Sequence, residues 1–399
     1  MPLTKGRLRA SLGALLAYAF IFDYAVYVYT PWQNWPEIFH KPNQLRLLLV
    51  ADSRLSRSPG AFESLSAWDD ERFVRRTFRA ALEHVQPHAV AFLGDLFAEP
   101  PALPNETEEL RQRFWDLFGP LNESTVSVVL PGERDLGTEP DDPHTVSLVR
   151  AFRREFGAAR PHLLADGFEL FPVDSLVFEQ LARDAPARDV RPGSVRVMLS
   201  HAPVIPLLDV RLNWTVTLAS PDVIFSAHEL ASALIRTTRR NPTDFASMVN
   251  AEQGQLERYL LSREDFLELV VPPCSSRVAY HTGYGIALFN KPVGGEATFD
   301  YAVLWTPMRA LHLWGYVVVT TYGVTILVLP LAQHNSGPSK VSSGRGAEEC
   351  KGSAETTEVC MNSEAAWQEA KRRANEIRAA VAHGQEAKLR VTEEQQQAR

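Results

Sequence analysis

The chain has 399 residues, with 45% hydrophobic and 22% charged side chains, an ordinary balance for a folded protein long enough for one large domain plus extras. Its formal net charge of −7 leaves no basic footprint, which argues against nucleic acid as a partner. Three cysteines, Cys274, Cys350 and Cys360, are too few for a disulfide framework or a zinc-type cysteine cluster.

The first element is an apolar run from Ala10 to Tyr29, with one interior acid, Asp23. Its length suits a membrane-crossing helix, and no small-residue cleavage site of a signal peptide follows it. A second, uncharged run covers Leu311 to Leu331 and is flanked by Trp305, Trp314 and Tyr316. An uncharged run this long, rich in β-branched residues and flanked by these aromatics, fits a span better than a buried core helix. Lys5, Arg7 and Arg9 precede the first run, and Lys340, Arg345 and Lys351 follow the second. The positive-inside rule then places both tails in the cytoplasm and the middle in a lumen. Three Asn-x-Ser/Thr sequons, at Asn105, Asn122 and Asn213, all fall between the runs. The expected organisation is a tail (1–9), a transmembrane helix (10–30), a lumenal domain (31–310), a second transmembrane helix (311–333) and a cytoplasmic tail (334–399).

Within the middle region, short apolar runs alternate with helical patterns. Strands are expected at Leu45–Val50, Ala89–Leu93, Thr125–Leu130, Val195–Leu199 and Val223–Phe225. Helices are expected at Asp70–His84, around Glu109–Phe118 and at Val146–Phe156. This alternation predicts an α/β domain with a parallel or mixed sheet, whose ligands gather beyond the carboxyl ends of the strands. Past the second run, His334–Glu358 reads as a Ser/Gly/Thr-rich linker. Asn362–Gln397 then carries a thin apolar stripe through Trp367, Ala370, Ala374, Ile377 and Val381. It reads as a solvated helix, or as a docking helix for a cytoplasmic partner.

Five segments at expected strand ends hold chemistry-bearing residues: Ala51-Asp52-Ser53-Arg54, Gly94-Asp95-Leu96-Phe97, Gly132-Glu133-Arg134-Asp135, Ser200-His201-Ala202-Pro203 and Ser226-Ala227-His228-Glu229-Leu230. In this order they resemble the calcineurin-like metallophosphoesterases. Two further stretches, Pro87–Phe97 and Val271-Pro272-Pro273-Cys274-Ser275-Ser276-Arg277 followed by Gly283-Tyr284-Gly285, are similar to one branch of that family. That branch is membrane-anchored and removes ethanolamine phosphate from glycosylphosphatidylinositol (GPI) anchors in the early secretory pathway. The resemblance implies a sandwich of mixed sheets flanked by helices, placed between two transmembrane helices, in the ER or Golgi with the domain lumenal.

The resemblance also implies a metal cage, because two cations can clamp a phosphate and activate a water. Asp52, Asp95, His201 and His228 match ligand positions, and Glu133 replaces an Asn ligand but can still ligate through oxygen. Arg54 and Leu230 stand where histidines are usual, and Arg134 replaces the proton-donating His. Arginine does not ligate metals and stays protonated. The implied cofactor is therefore a divalent ion, manganese or zinc, at one ion per chain, held by Asp52, Asp95, Glu133, His201 and His228. Arg54 and Arg134 would contact phosphate in the catalytic site, and Arg54 would supply a counter-charge to the carboxylates. Two functions stay open. One is hydrolysis of phosphodiesters on GPI-anchor glycans. The other is a pseudoenzyme that binds a phosphate-bearing glycolipid or GPI-anchored protein without cleaving it. A third, an adaptor acting through the tail helix, needs neither.

Overall fold

The structure is a computed structural model; it describes residues 2–41, 44–56, 61–103, 105–137, 142–158, 160–164, 167–173, 194–207, 220–239, 241–249, 255–261, 265–290 and 297–335. The linker and tail helix expected beyond residue 335, and the sequon at Asn213, lie outside these residues. Asn105 and Asn122 are both exposed.

The chain begins with α1 (Pro2–Phe20), continues through a π-helical turn (Ile21–Ala25) and ends its first rod as α2 (Val26–Asn34). Among the described residues one helix, Lys5–Asn34, is long and apolar enough to cross a membrane. The second expected span falls in the last described element, α7 (Arg309–Asn335), which packs along α1; it forms a helix, but a second membrane crossing is not shown.

Between these rods lie two mixed sheets. The first has the order β10-β13-β12-β1-β2-β3, built from β1 (Gln44–Val50), β2 (Ala89–Phe92), β3 (Val126–Val129), β10 (Glu257–Leu260), β12 (Gly283–Asn290) and β13 (Thr298–Trp305). Here β1, β2 and β3 run parallel, while β12 and β13 add antiparallel ribbons. The second has the order β4-β5-β6-β7-β11-β8-β9, from β4 (His162–Leu164), β5 (Phe168–Val173), β6 (Val195–Ser200), β7 (Val223–Ser226), β8 (Ala233–Thr238), β9 (Asn241–Val249) and β11 (Asp265–Val270).

The strand period of two explains how the layers meet. Leu45, Leu47 and Leu49 of β1 face the gap between the sheets, with Phe225, Leu269, Phe289 and Phe299. Leu48 and Val50 face the other way, under Phe73, Phe78, Phe114 and Phe118. Those four come from α3 (Ala61–Val85) and α4 (Glu106–Phe118), which cover the first sheet together with α6 (Pro143–Phe156). The helix α6 starts at Asp142, whose carboxylate accepts a hydrogen bond from Thr145 N–H, with Pro143 at the first helical position. Among the described residues the outer face of the second sheet is packed by Val204 and Ile205, in the loop after β6, rather than by an α-helix. The two-sheet α/β architecture thus agrees with the expected fold, with helices seen on one side.

Candidate phosphate site at the strand ends

The five segments converge at the carboxyl ends of β1, β2, β3, β6 and β7. Direct backbone bonds tie the first two loops together: Asp52 N to Gly94 O (3.2 Å), Arg54 N to Asp95 O (3.1 Å) and Leu55 N to Leu96 O (2.8 Å). Two glycines let the next loop approach. A Cβ on Gly132 would stand 2.4 Å from Asp95 Oδ1, and one on Gly94 would stand 2.8 Å from Gly132 N.

The backbone here is strained. Asp52, Arg54, Asp95, His228 and Leu230 all have positive φ, from 43° to 72°. Side chains with a Cβ disfavour this region, and leucine has no local hydrogen bond to offset the cost. Strain concentrated in one place marks a site whose geometry the surrounding fold enforces.

Arg54 lies between two acids. Its Nη2 is 3.0 Å from Asp52 Oδ1 and 3.3 Å from Asp95 Oδ2. Both carboxylates are almost wholly buried. Asp95 meets a second guanidinium, with Arg134 Nε 3.4 Å from its Oδ2, and its Oδ1 accepts the Arg134 backbone N–H (3.1 Å). Arg134 also donates from Nη1 to Ala98 O (3.0 Å), and its side chain is 47% exposed. Burial raises the Asp52 carboxyl above its usual range, opposed by His201 and Arg54 and reinforced by Asp95. Its second oxygen, Oδ2, is buried without a hydrogen-bond partner.

His201 is fixed by its Nδ1, which donates to Leu93 O (2.8 Å) because a carbonyl can only accept. In the neutral ring this leaves Nε2 unprotonated, 3.4 Å from Asp95 Oδ1 and 3.3 Å from His228 Nδ1. Glu133 opens the short helix α5 (Glu133–Leu136) and is half-buried; its carboxylate makes no hydrogen bond or ion pair among the described residues. Leu230 lies two residues past His228 and brings no ligand atom.

Asp52, Asp95, His201 and His228 do converge, but among the described residues no group of three or more His, Cys, Asp or Glu is arranged to hold a metal. The physical reason is the two arginines, which already neutralise Asp95 and claim its oxygens. As arranged, the cluster fits a carboxylate–guanidinium network and does not fit a cation.

Two residues that sequence reasoning passed over build the site. Asp135, 1% exposed, accepts N–H bonds from Gly132 (2.8 Å), Leu96 (3.2 Å) and Phe97 (2.9 Å), and so clamps two strand-end loops together. Complete burial, with Asp95 nearby, pushes its pKa up to about 8 against those three bonds. Its place at the end of Gly132-Glu133-Arg134-Asp135, beside the singled-out residues, was the available signal. Asp70 of α3 accepts bonds from Ser275 Oγ (2.7 Å), Ser276 N (2.8 Å) and Ser276 Oγ (2.7 Å). It anchors the late segment, whose Cys274 N donates to Ala51 O (2.9 Å) beside Asp52. Cys274 itself is fully buried and its thiol pKa is raised by burial, which suits packing and not nucleophilic attack.

A purple acid phosphatase, PPD1, isolated from yellow lupin (Lupinus luteus) seeds has a solved structure similar to this one with a TM-score of 0.41 and 11% identity. The match covers 66% of this chain and 52% of that one, so this chain spans about half the length of that protein. No family model matches the chain, and no curated protein matches it. What the site can do follows from its own residues.

Proposed function

We propose that this chain is a membrane-anchored, phosphoesterase-like protein of the secretory pathway whose strand-end site holds a phosphate-bearing GPI-anchor glycan or GPI-anchored protein without cleaving it. The observation that carries this reading is the Arg54 guanidinium, paired at once with Asp52 and Asp95. It puts a fixed positive charge between the two acids that would otherwise draw in a cation. Arg134 occupies the position of a proton donor by resemblance, yet its pKa above about 12 makes it a poor general acid near neutral pH. Half-exposed and planar, it is well made to bind a phosphate oxygen with its outward N–H groups. The late segment packed against Ala51 is the part of the resemblance that points to GPI glycans.

Membrane anchoring rests on the apolar Lys5–Asn34 helix together with the uncharged run in α7. The lumenal placement, in ER or Golgi, rests on the basic flanks and the sequons.

Titration calorimetry of the purified full chain with ethanolamine phosphate tests the binding claim. Saturable binding is expected, weakened about ten- to a hundredfold by Arg134→Gln, since a hydrogen bond to a charged group contributes about 1.5–3 kcal/mol. Binding that is absent, or indifferent to Arg134→Gln, would remove the basis for the proposal.

A further inference from the structure

A second cationic surface lies on α3. Trp68, Arg72, Arg75, Arg76 and Arg79 recur every three or four residues and so share one helix face. With Glu71 they line an open cleft of about 330 Å³. Glu71 does not balance them, because its carboxylate is engaged by Arg113 Nη2 at 2.6 Å. Arg75 has a buried Nε without a hydrogen-bond partner, and Arg79 is exposed with no ion pair among the described residues. Like charges spaced this way repel, and an anion with several acceptor oxygens would relieve the repulsion.

The position of α3 says what kind of anion. This helix crosses the foot of both terminal rods. At one point Asp69 Oδ2 accepts from Arg309 Nε (2.9 Å), at the start of α7. At another, Arg72 Nη2 is 3.7 Å from Asp23 Oδ2, and Arg76 donates to the Asp23 carbonyl. Asp23 closes the circuit, accepting from Arg309 Nη1 (2.9 Å) and Tyr316 Oη (2.7 Å). The π-helical turn Ile21–Ala25 carries Asp23 at the level where these elements meet. Just past it, Tyr27 packs edge-on against Phe73 of α3, 6.1 Å between ring centres.

Exposed aromatics lie on the same three elements. Arg76 lies over Tyr24, 4.9 Å from the ring centre, and Arg72 over Trp68 at 5.5 Å. Tyr24, Trp68 and Trp314 are each more than half exposed. Amphipathic rings beside arginines are the side-chain chemistry of the headgroup zone of a bilayer.

We infer that the Trp68–Arg79 face of α3 is a binding site for the phosphate of an anionic phospholipid in the leaflet that the terminal rods enter. It rests on the membrane-anchored reading and is independent of the strand-end phosphate site. Bound lipid would hold the domain against the bilayer in one orientation, with α3 lying along the surface.

The test uses the full chain in nanodiscs of phosphatidylcholine alone and of an equal mixture with phosphatidylserine. Native mass spectrometry counts the lipids that stay bound on release. Wild type is expected to retain phosphatidylserine over phosphatidylcholine. Arg75→Gln with Arg79→Gln should lower that retention about twenty-five-fold, because each surface arginine contributes about a factor of five. Both side chains are free of ion pairs among the described residues, so the melting temperature in phosphatidylcholine should not change. Retention that is equal for the two lipids, or unaltered in the double variant, would overturn the inference. So would full displacement of phosphatidylserine by inorganic phosphate, which would make the site a simple anion site. Alkaline carbonate extraction of cell membranes separates the two layers: a chain released by carbonate defeats the anchored reading, whereas a carbonate-resistant chain without lipid preference defeats only this site.

Discussion

The Nη2 of Arg54 stands 3.0 Å from Oδ1 of Asp52, two residues away, and both residues hold positive φ to achieve it. A short ion pair across two strained residues is costly to build, and it persists because Asp95 lies within 3.3 Å of the same nitrogen. Three charges thus form one unit at the end of β1, two of them on carboxylates that are almost wholly buried.

Removing the guanidinium should therefore be destabilising. Arg54→Ala leaves Asp52 and Asp95 as neighbouring buried acids, and breaking a buried pair from one side typically costs about 3–5 kcal/mol. The detergent-purified full chain should melt several degrees lower by differential scanning fluorimetry. Arg54→Met combined with Asp52→Asn should regain most of the loss, because no lone charge is left at that position. Equal melting of Arg54→Ala and wild type would show that the pair contributes nothing.

Asp70 holds the late segment over Cys274, so the thiol should report on that clamp. In a Cys350→Ser, Cys360→Ser background, maleimide should label the native chain very slowly, since Cys274 is fully buried with a raised thiol pKa. Asp70→Ala deletes three hydrogen bonds to Ser275 and Ser276 and should speed labelling at least tenfold, on the scale of one or more bonds at about 1.5 kcal/mol each. Unchanged labelling would assign the segment's order to packing alone.

Strand β11 gives a pH signature. Glu268 is fully buried and accepts N–H bonds from Val204 (2.7 Å) and Ile205 (2.8 Å); burial raises its pKa above the ordinary glutamate value. The folded chain then keeps this proton at a pH where the unfolded chain, titrating near about 4.3, has lost it. Its contribution to stability is complete below that pH and declines as the pH rises toward the raised folded value. Glu268→Gln should lower the melting temperature, because an amide leaves one of the two N–H groups unpaired, and should flatten its fall between acidic and neutral pH. An identical pH slope in wild type and variant would contradict this.

Much of the fold was legible because its signals are local. Residues of the Leu45–Val50 run are buried on both faces, which is why it read as a continuous apolar strand. Ends of helices were less legible: α3 begins at Ala61, nine residues before the expected Asp70, because its first turns carry a mixed sequence without a clean apolar stripe. The strand-end segments could be found by their order, but the partners that shape them could not. Asp70 meets Ser276 across 206 positions and Asp23 meets Arg309 across 286, and no sequence period connects such residues. Asp23 was visible only as an acid interrupting an apolar run. The two guanidiniums at Asp95 were out of reach for a related reason: ligand types can be matched along a sequence, whereas the occupation of Asp95 by Arg54 and Arg134 is a fact of three-dimensional packing.

Sequon use tests the topology independently. Asn105 and Asn122 are exposed, and both follow the apolar N-terminal helix along the chain, as the strand-end site does. Glycosidase treatment of the expressed chain should increase its gel mobility, and Asn105→Gln, Asn122→Gln and Asn213→Gln together should abolish the change. A wild-type band unaffected by glycosidase, with the middle region digested in intact microsomes, would place the domain on the cytoplasmic side instead.

The central claim, that the strand-end site holds phosphate without cleaving it, is tested most directly by phosphodiester turnover. The full chain is assayed on an aryl phosphodiester and on a GPI-glycan substrate, with manganese and with zinc, beside Asp95→Ala. The pairing of Arg54 with Asp52 and Asp95 predicts rates that are equal in the two proteins and no higher than the buffer background. Robust turnover by wild type that disappears in Asp95→Ala would contradict the claim and make Arg54 and Arg134 parts of a working hydrolytic site.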